Sequence, residues 1–228
     1  DTDRRRFNRL RQDSKDYEPI ALRHRLSDEE IARLATRRHE FPGVEINARL
    51  YRRYPFADLS SHVIGYIGRI NPEEKRALEE GDDALNYRGT THIGKLGIEQ
   101  SYEAELHGIS GSEQLEVTST GQVVRRLASK PAVPGRNVML SIDIRLQKLV
   151  EDLFGTRRGA LVAMDPRDGQ ILAMVSKPTF DGNLFVDGID QENWAALNES
   201  IDKPLLNRAL RGTYPPGSTY KPFMALAA

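Results

Sequence analysis

The chain has 228 residues, 39% of them hydrophobic and 29% charged, with 18 Gly and 12 Pro; this excludes a collagen-like or low-complexity chain and suffices for roughly one and a half globular domains. Lys plus Arg and Asp plus Glu balance at 33 each, so no global field draws the protein to nucleic acid or anionic lipid. No stretch approaches the ~20 apolar residues of a membrane helix, and the absence of Cys excludes disulfides, Cys nucleophiles and thiolate metal sites without fixing a compartment.

Both ends read as parts of a longer protein: the chain starts at Asp1 and closes on the apolar run Phe223-Met224-Ala225-Leu226-Ala227-Ala228. The basic stretch within the first 25 residues reads as a solvated helix face. Ser27-Asp28-Glu29-Glu30 forms a capping box, and Ile31, Leu34 and Ala35 follow at helical spacing, predicting a helix over about 28–39. Pro42-Gly43 breaks it. Val44, Ile46, Ala48 and Leu50 then alternate as a half-buried strand. Asn71-Pro72-Glu73-Glu74 opens a short helix that Gly81 closes, and a second amphipathic helix is expected from about Ile98 to Leu106, stopped at Gly108.

From Ser112 the period changes to two. Leu115 and Val117 lead into Ser119-Thr120-Gly121 and Val123 and Val124 lead out, a hairpin. Val133-Pro134-Gly135-Arg136 is the best domain boundary. Beyond it Val138, Leu140 and Ile142 suggest a strand, and Asp143 caps a helix with Leu146, Leu149, Val150 and Leu153 on one side. Residues 159–165 and 170–176 are two strands around the turn Pro166-Arg167-Asp168-Gly169. The order implies an α+β domain starting near 136, an antiparallel sheet backed by helices. Trp194 is expected as a packing anchor, and the five histidines, His24, His39, His62, His92 and His107, as structural or solvated rather than metal ligands.

The chemistry concentrates in Thr213-Tyr214-Pro215-Pro216-Gly217-Ser218-Thr219-Tyr220-Lys221-Pro222. Two prolines and a glycine make a sharp entry, and Ser218 stands where an N-cap or first-turn residue would be. Lys221 is three residues on, on the same helical face. A serine hydroxyl becomes a nucleophile when a base takes its proton, and lysine is that base when neutral. Burial and the helix dipole would favour neutral Lys221, and the dipole with the Ser218 N–H would favour an oxyanion on an attacked carbonyl. Tyr220 and Phe223 are expected in the core, Arg208 and Arg211 in solvent.

The segment Tyr214–Pro222 resembles the first active-site motif of penicillin-binding proteins, serine acyltransferases that cross-link peptidoglycan. The similarity extends through Asn183–Ile189, Pro204–Ala209 and the hairpin Met164–Met174, which looks like the opening sheet of the transpeptidase domain. Phe41-Pro42-Gly43-Val44-Glu45, His62–Gly68 and Gly94-Lys95-Leu96-Gly97-Ile98-Glu99 look like the non-catalytic pedestal of class B members, above all the elongation-type ones.

The resemblance implies an elongated pedestal (dimerisation-type) domain over 1–135, of mixed strands and helices, and the N-terminal part of a transpeptidase domain over 136–228. It implies Ser218 as the acylated nucleophile, its N–H in the oxyanion hole, and Lys221 as general base, with no cofactor and no metal. Implied partners are stem peptides ending in D-Ala-D-Ala, β-lactams and, through the pedestal, a polymerising glycosyltransferase and a periplasmic scaffold, with no nucleic acid. The implied location is the periplasmic face of the inner membrane. The family's Ser-x-Asn, Lys-Thr-Gly and Arg-Gly-x-Ile-x-Asp-Arg motifs match nowhere, and Lys95-Leu96-Gly97 is only a superficial echo of the second of these. The 228 residues alone are therefore expected to be inactive. A docking module without chemistry, a Ser/Lys peptidase and a β-lactam sensor remain alternatives.

Overall fold

The computed structural model describes residues 26–48, 50–118 and 123–227, with scattered positions before residue 26. The helices are α1 (Asp28–Thr36), α2 (Ser61–Ile64), α3 (Pro72–Glu80), α4 (Gly97–Ser101), α5 (Glu103–His107), α6 (Ile144–Phe154), α7 (Asn183–Val186), α8 (Gln191–Asn198), α9 (Arg208–Arg211) and α10 (Lys221–Ala227). The strands are β1 (Ile67–Arg69), β2 (His92–Gly94), β3 (Ser112–Val117), β4 (Val123–Lys130), β5 (Gly159–Met164) and β6 (Ile171–Lys177), paired β1 with β2, β3 with β4 and β5 with β6, all antiparallel. The class is α+β. The chain divides into two compact units, Asp1–Leu50 with Gly111–Pro131, and Tyr51–Ser110 with Ala132–Ala228.

In the first unit the capping box is present: Ser27 accepts from Glu30 N–H and Glu30 reaches back to Ser27 N–H. The helix ends at Thr36 rather than 39, and a 3-10 turn takes over at Arg38–Glu40. Residues 44–48 carry no strand, and among the described residues no ladder forms beside them. The β3–β4 ribbon runs from Ser112↔Lys130 to Val117↔Val123 with two register shifts. All its residues are exposed. Cross-strand ion pairs, Glu116 with Arg125 and Glu113 with Arg126, supply the kind of pairing that supports such a ribbon. Its turn at Ser119-Thr120-Gly121 lies outside the described residues, as do His24 and most of the basic N-terminal stretch; Arg4, Arg11 and Arg23 are described and exposed.

In the second unit Asn71 and Glu74 form the capping box of α3, with Pro72 at its first turn and Gly81 after it. The expected helix over 98–106 is two helices broken at Tyr102, and just past the break the Glu103 carboxylate accepts from Gly94 N–H at 2.7 Å. A bond to the end of β2 accompanies the loss of local helical continuity. Asp143 caps α6 as expected. Before it, 138–142 form no strand: Ser141 and Asp143 each make one bond to the start of β6 and no ladder follows.

The inner side of α6 also departs from the apolar pattern. Leu149 and Leu153 are exposed, while Gln147 and Glu151 are buried. Gln147 pairs with the β6 backbone as a neighbouring strand would, accepting from Met174 N–H at 2.8 Å and donating to Met174 O at 2.9 Å. Satisfying both ends removes the cost of burying an amide. Around this lie Ala173, Val175, Phe180, Phe185 and Val186, all buried. Tyr66 stacks on Phe185 with centroids 3.9 Å apart, and Phe180 meets Phe185 and His62 edge-on. Trp194 is 43% exposed on α8, so it anchors little among the described residues.

Candidate active site

The segment that delivers Ser218 starts from a buried polar knot. Ser176, at the end of β6, donates to Leu206 O at 3.2 Å and accepts from Arg208 N–H at 2.9 Å. Arg208, expected in solvent, is buried: its guanidinium donates to the carbonyls of Asp202 and Lys203, which replace water around the charge. Arg211 is exposed as expected. Asn207 caps α9 by accepting from Leu210 N–H at 3.2 Å.

Two glycines then shape the approach. A Cβ on Gly212 would lie 2.5 Å from Arg208 O and 2.6 Å from the Tyr214 ring, so only glycine lets the chain fold back onto α9. Gly217 sits at φ +55°, the left-handed region that side chains disfavour. Between them Pro215 and Pro216 restrict φ.

Ser218 lies inside the 3-10 turn Gly217–Tyr220 and does not act as a capping residue; Lys221 begins α10. Lys221 N–H donates to Ser218 O, closing an i to i+3 bond that holds the two residues one 3-10 turn apart. Thr219 Oγ1 donates to Pro216 O and tightens the same turn. Pro222 is tolerated because it falls in the first turn of α10, where amides lack helical partners.

Ser218 and Lys221 are both exposed, so the burial expected to act on Lys221 is absent among the described residues. Tyr220 and Phe223 are likewise exposed rather than in the core, their rings 5.9 Å apart at 32°. Burial does act on a histidine bonded to Asn207 through its carbonyl. The His62 imidazole, against Phe180 and 3.3 Å from Pro178 O, is held below the ordinary histidine range by desolvation. Among the described residues no three His, Asp or Glu side chains converge as a metal site.

Residue spacing alone did not single out the supports: Asn207, Ser176, Gln147, Glu151 and α2. Glu151 accepts from Ser60 N–H at 3.0 Å and pairs with Lys177 at 3.2 Å. Ser60 carries φ +63°, and Ser61 Oγ meets Thr179 Oγ1 at 2.5 Å. The only local signal was Asn207 standing three residues before Leu210, a capping spacing.

These features place a serine and a lysine one 3-10 turn apart on an exposed segment that leads out of an α+β scaffold. The model of the penicillin-binding protein dimerisation domain matches residues 1–140 and that of the penicillin-binding protein transpeptidase domain matches 159–228; the chain belongs to the penicillin-binding protein family. Across all 228 residues it is 42% identical to the peptidoglycan D,D-transpeptidase MrdA of Haemophilus influenzae and 41% identical to that of Escherichia coli. It spans 35% and 36% of those relatives' lengths. Of solved structures, Pseudomonas aeruginosa PBP2 in complex with WCK 5153 is similar at TM-score 0.66 and 47% identity, covering 80% of this chain and 36% of that one. The complex between PBP2 and MreC from Helicobacter pylori gives TM-score 0.78 at 31% identity, covering 91% of this chain and 38% of that one.

Proposed function

We propose that the chain is the pedestal, residues 1–135, and the opening of the transpeptidase domain, 136–228, of a peptidoglycan D,D-transpeptidase of the elongation type. The observation that carries this is the Ser218–Lys221 turn, closed by its own backbone bond behind a Pro-Pro-Gly entry. Ser218 Oγ attacks the carbonyl of the penultimate D-Ala of a stem peptide while Lys221 Nζ takes its proton. The Oγ–C bond forms, the C–N bond to the terminal D-Ala breaks, and the proton passes to the leaving amine. The amine of a neighbouring stem then displaces Ser218, completing the cross-link. The Ser218 N–H contributes to oxyanion stabilisation. A β-lactam mimics the donor and stays on Ser218.

The MrdA name of relatives 41–42% identical supports the substrate class. The reading places the protein at the periplasmic face of the inner membrane; among the described residues no helix is long and apolar enough to cross a membrane. The Helicobacter pylori complex with MreC supports a scaffold partner for the pedestal, beside a polymerising glycosyltransferase. The exposed β3–β4 ribbon, with Leu115, Val117, Val123, Val124 and Leu127 on the surface, favours docking as a second role of the same protein.

The test is labelling by a fluorescent penicillin of the protein expressed from its complete gene. Labelling that disappears in Ser218→Ala while partner binding persists is expected; equal labelling of Ser218→Ala overturns the assignment.

A further inference from the structure

We propose that Asn207 is a positioning residue for the nucleophile, clamping α9 to the carbonyl end of α2 so that the turn bearing Ser218 is held in reactive register; this rests on the Ser218 reading above. The side-chain amide works at both ends. Its Oδ1 accepts from Leu210 N–H at 3.2 Å, and its Nδ2 donates to His62 O, also at 3.2 Å, across 145 residues of sequence.

Each end of the clamp is stiff. On the α2 side, Ser60 N–H is held by buried Glu151, Ser61 by Thr179, and the His62 ring by Pro178 O and the edge of Phe180. Thr179 also donates to Asp58 O at 2.8 Å, fixing the approach to the helix. On the α9 side, Arg208 N–H is anchored to Ser176 and its guanidinium to two carbonyls. Gly212 N–H then donates to Arg208 O at 3.1 Å, and the space between that carbonyl and the Tyr214 ring is too small for a Cβ, which couples α9 to Tyr214. From Tyr214 the Pro-Pro pair, with little backbone freedom, leads directly into Gly217 and Ser218. Catalysis by a positioned nucleophile is steep in geometry: a displacement near 1 Å costs on the order of a hundredfold.

The test uses the protein expressed from its complete gene. Asn207→Ser keeps a capping oxygen for Leu210 and removes the donor to His62; Asn207→Asp does the same in an isosteric side chain. For both, the first-order acylation rate of a fluorescent penicillin should fall by roughly tenfold or more, while the dissociation constant of the preceding complex changes by less than about twofold. Asp143→Ala, which loses the α6 cap, is the control: it lowers the unfolding midpoint but leaves the acylation rate in place. Acylation by the Asn207 variants within about twofold of the parent, or the same slowing in Asp143→Ala, overturns the proposal. Hydrogen exchange supplies a readout independent of chemistry. The amides of Leu210, Arg211 and Gly212 should exchange faster in Asn207→Ser, and unchanged exchange sinks the clamp even where Ser218 is acylated. Absence of Ser218 labelling in the parent, with exchange still responding to Asn207, instead removes the proposed function and with it the catalytic meaning of the clamp.

Discussion

Asn183 holds the main chain of Tyr54 from both directions: its Oδ1 accepts from Tyr54 N–H at 2.9 Å and its Nδ2 donates to Tyr54 O at 2.9 Å. Asp181 orients the amide by accepting from both Asn183 nitrogens at 2.8 Å. Tyr54 itself is buried; its hydroxyl donates to Glu99 at 3.1 Å and accepts from Ile67 N–H at 2.9 Å. Burial, then the Glu99 charge, push the phenol up, so it stays protonated at any working pH.

Asn183→Ala leaves Tyr54 N–H without a partner, while Tyr54 O keeps the Ala57 N–H at 3.1 Å, and should destabilise the second unit by about 1–3 kcal/mol. Urea unfolding followed by tyrosine fluorescence measures this. A loss within experimental error would mean that water replaces the amide freely.

The Glu151–Lys177 pair is the next point of sensitivity. Lys177→Met strands a buried carboxylate and should cost about 3–5 kcal/mol, whereas Glu151→Gln combined with Lys177→Met should recover part of that loss. Gln at 151 can still accept from Ser60 N–H. A double-mutant cycle by chemical denaturation separates the charge pair from this hydrogen bond; strict additivity would show that the two side chains do not interact.

His62 sets a pH dependence. Its folded-state pKa is lowered, by burial first, relative to an unfolded value near 6.5. Above about pH 6.5 both states are neutral and its contribution is complete; as pH falls from there through the folded pKa, the unfolded chain takes up the proton first and stability declines. His92 is shifted the same way, by burial and then by Arg69. The thermal midpoint should fall between about pH 6.5 and 5, and His62→Gln should flatten part of that slope. A midpoint that rises on acidification would contradict the direction.

Gly212→Ala drives a Cβ into Arg208 O at 2.5 Å. Because the obstacle is backbone, the turn has to open, and penicillin labelling should fall by roughly tenfold or more without abolishing the fold. Labelling kinetics beside circular dichroism check this. Labelling at the parental rate would mean that Tyr214 and α9 move independently.

The residues most legible in the chain were those whose partners lie within four positions. Ser27 with Glu30, Asn71 with Glu74 and Asp143 with Arg145 and Leu146 specify their helix starts by themselves. The β5–β6 hairpin and the Ser218–Lys221 turn follow equally from local spacing. The departures lie where a contact beyond one helical turn forms or an expected ladder does not. The helix expected through Tyr102 breaks next to Glu103, which reaches Gly94; the alternation at 44–48 and 138–142 makes no strand because no ladder forms beside it among the described residues.

The opposite fate met polar residues that periodicity places outside. Gln147 and Glu151 are buried because their partners, at 174, 60 and 177, are brought alongside only when α6, α2 and β6 pack, and Arg208 is buried where its N–H meets Ser176 of β6 while the nearby carbonyls of 202 and 203 take its guanidinium. Composition, caps and the Ser218–Lys221 spacing thus belong to the sequence alone, since they depend on interactions one helical turn long. Which amides and charges are sealed inside, and so how Asn207 carries α2 to the approach of Ser218, depended on tertiary structure, because a buried polar group is favourable only when a partner from elsewhere in the chain replaces its water.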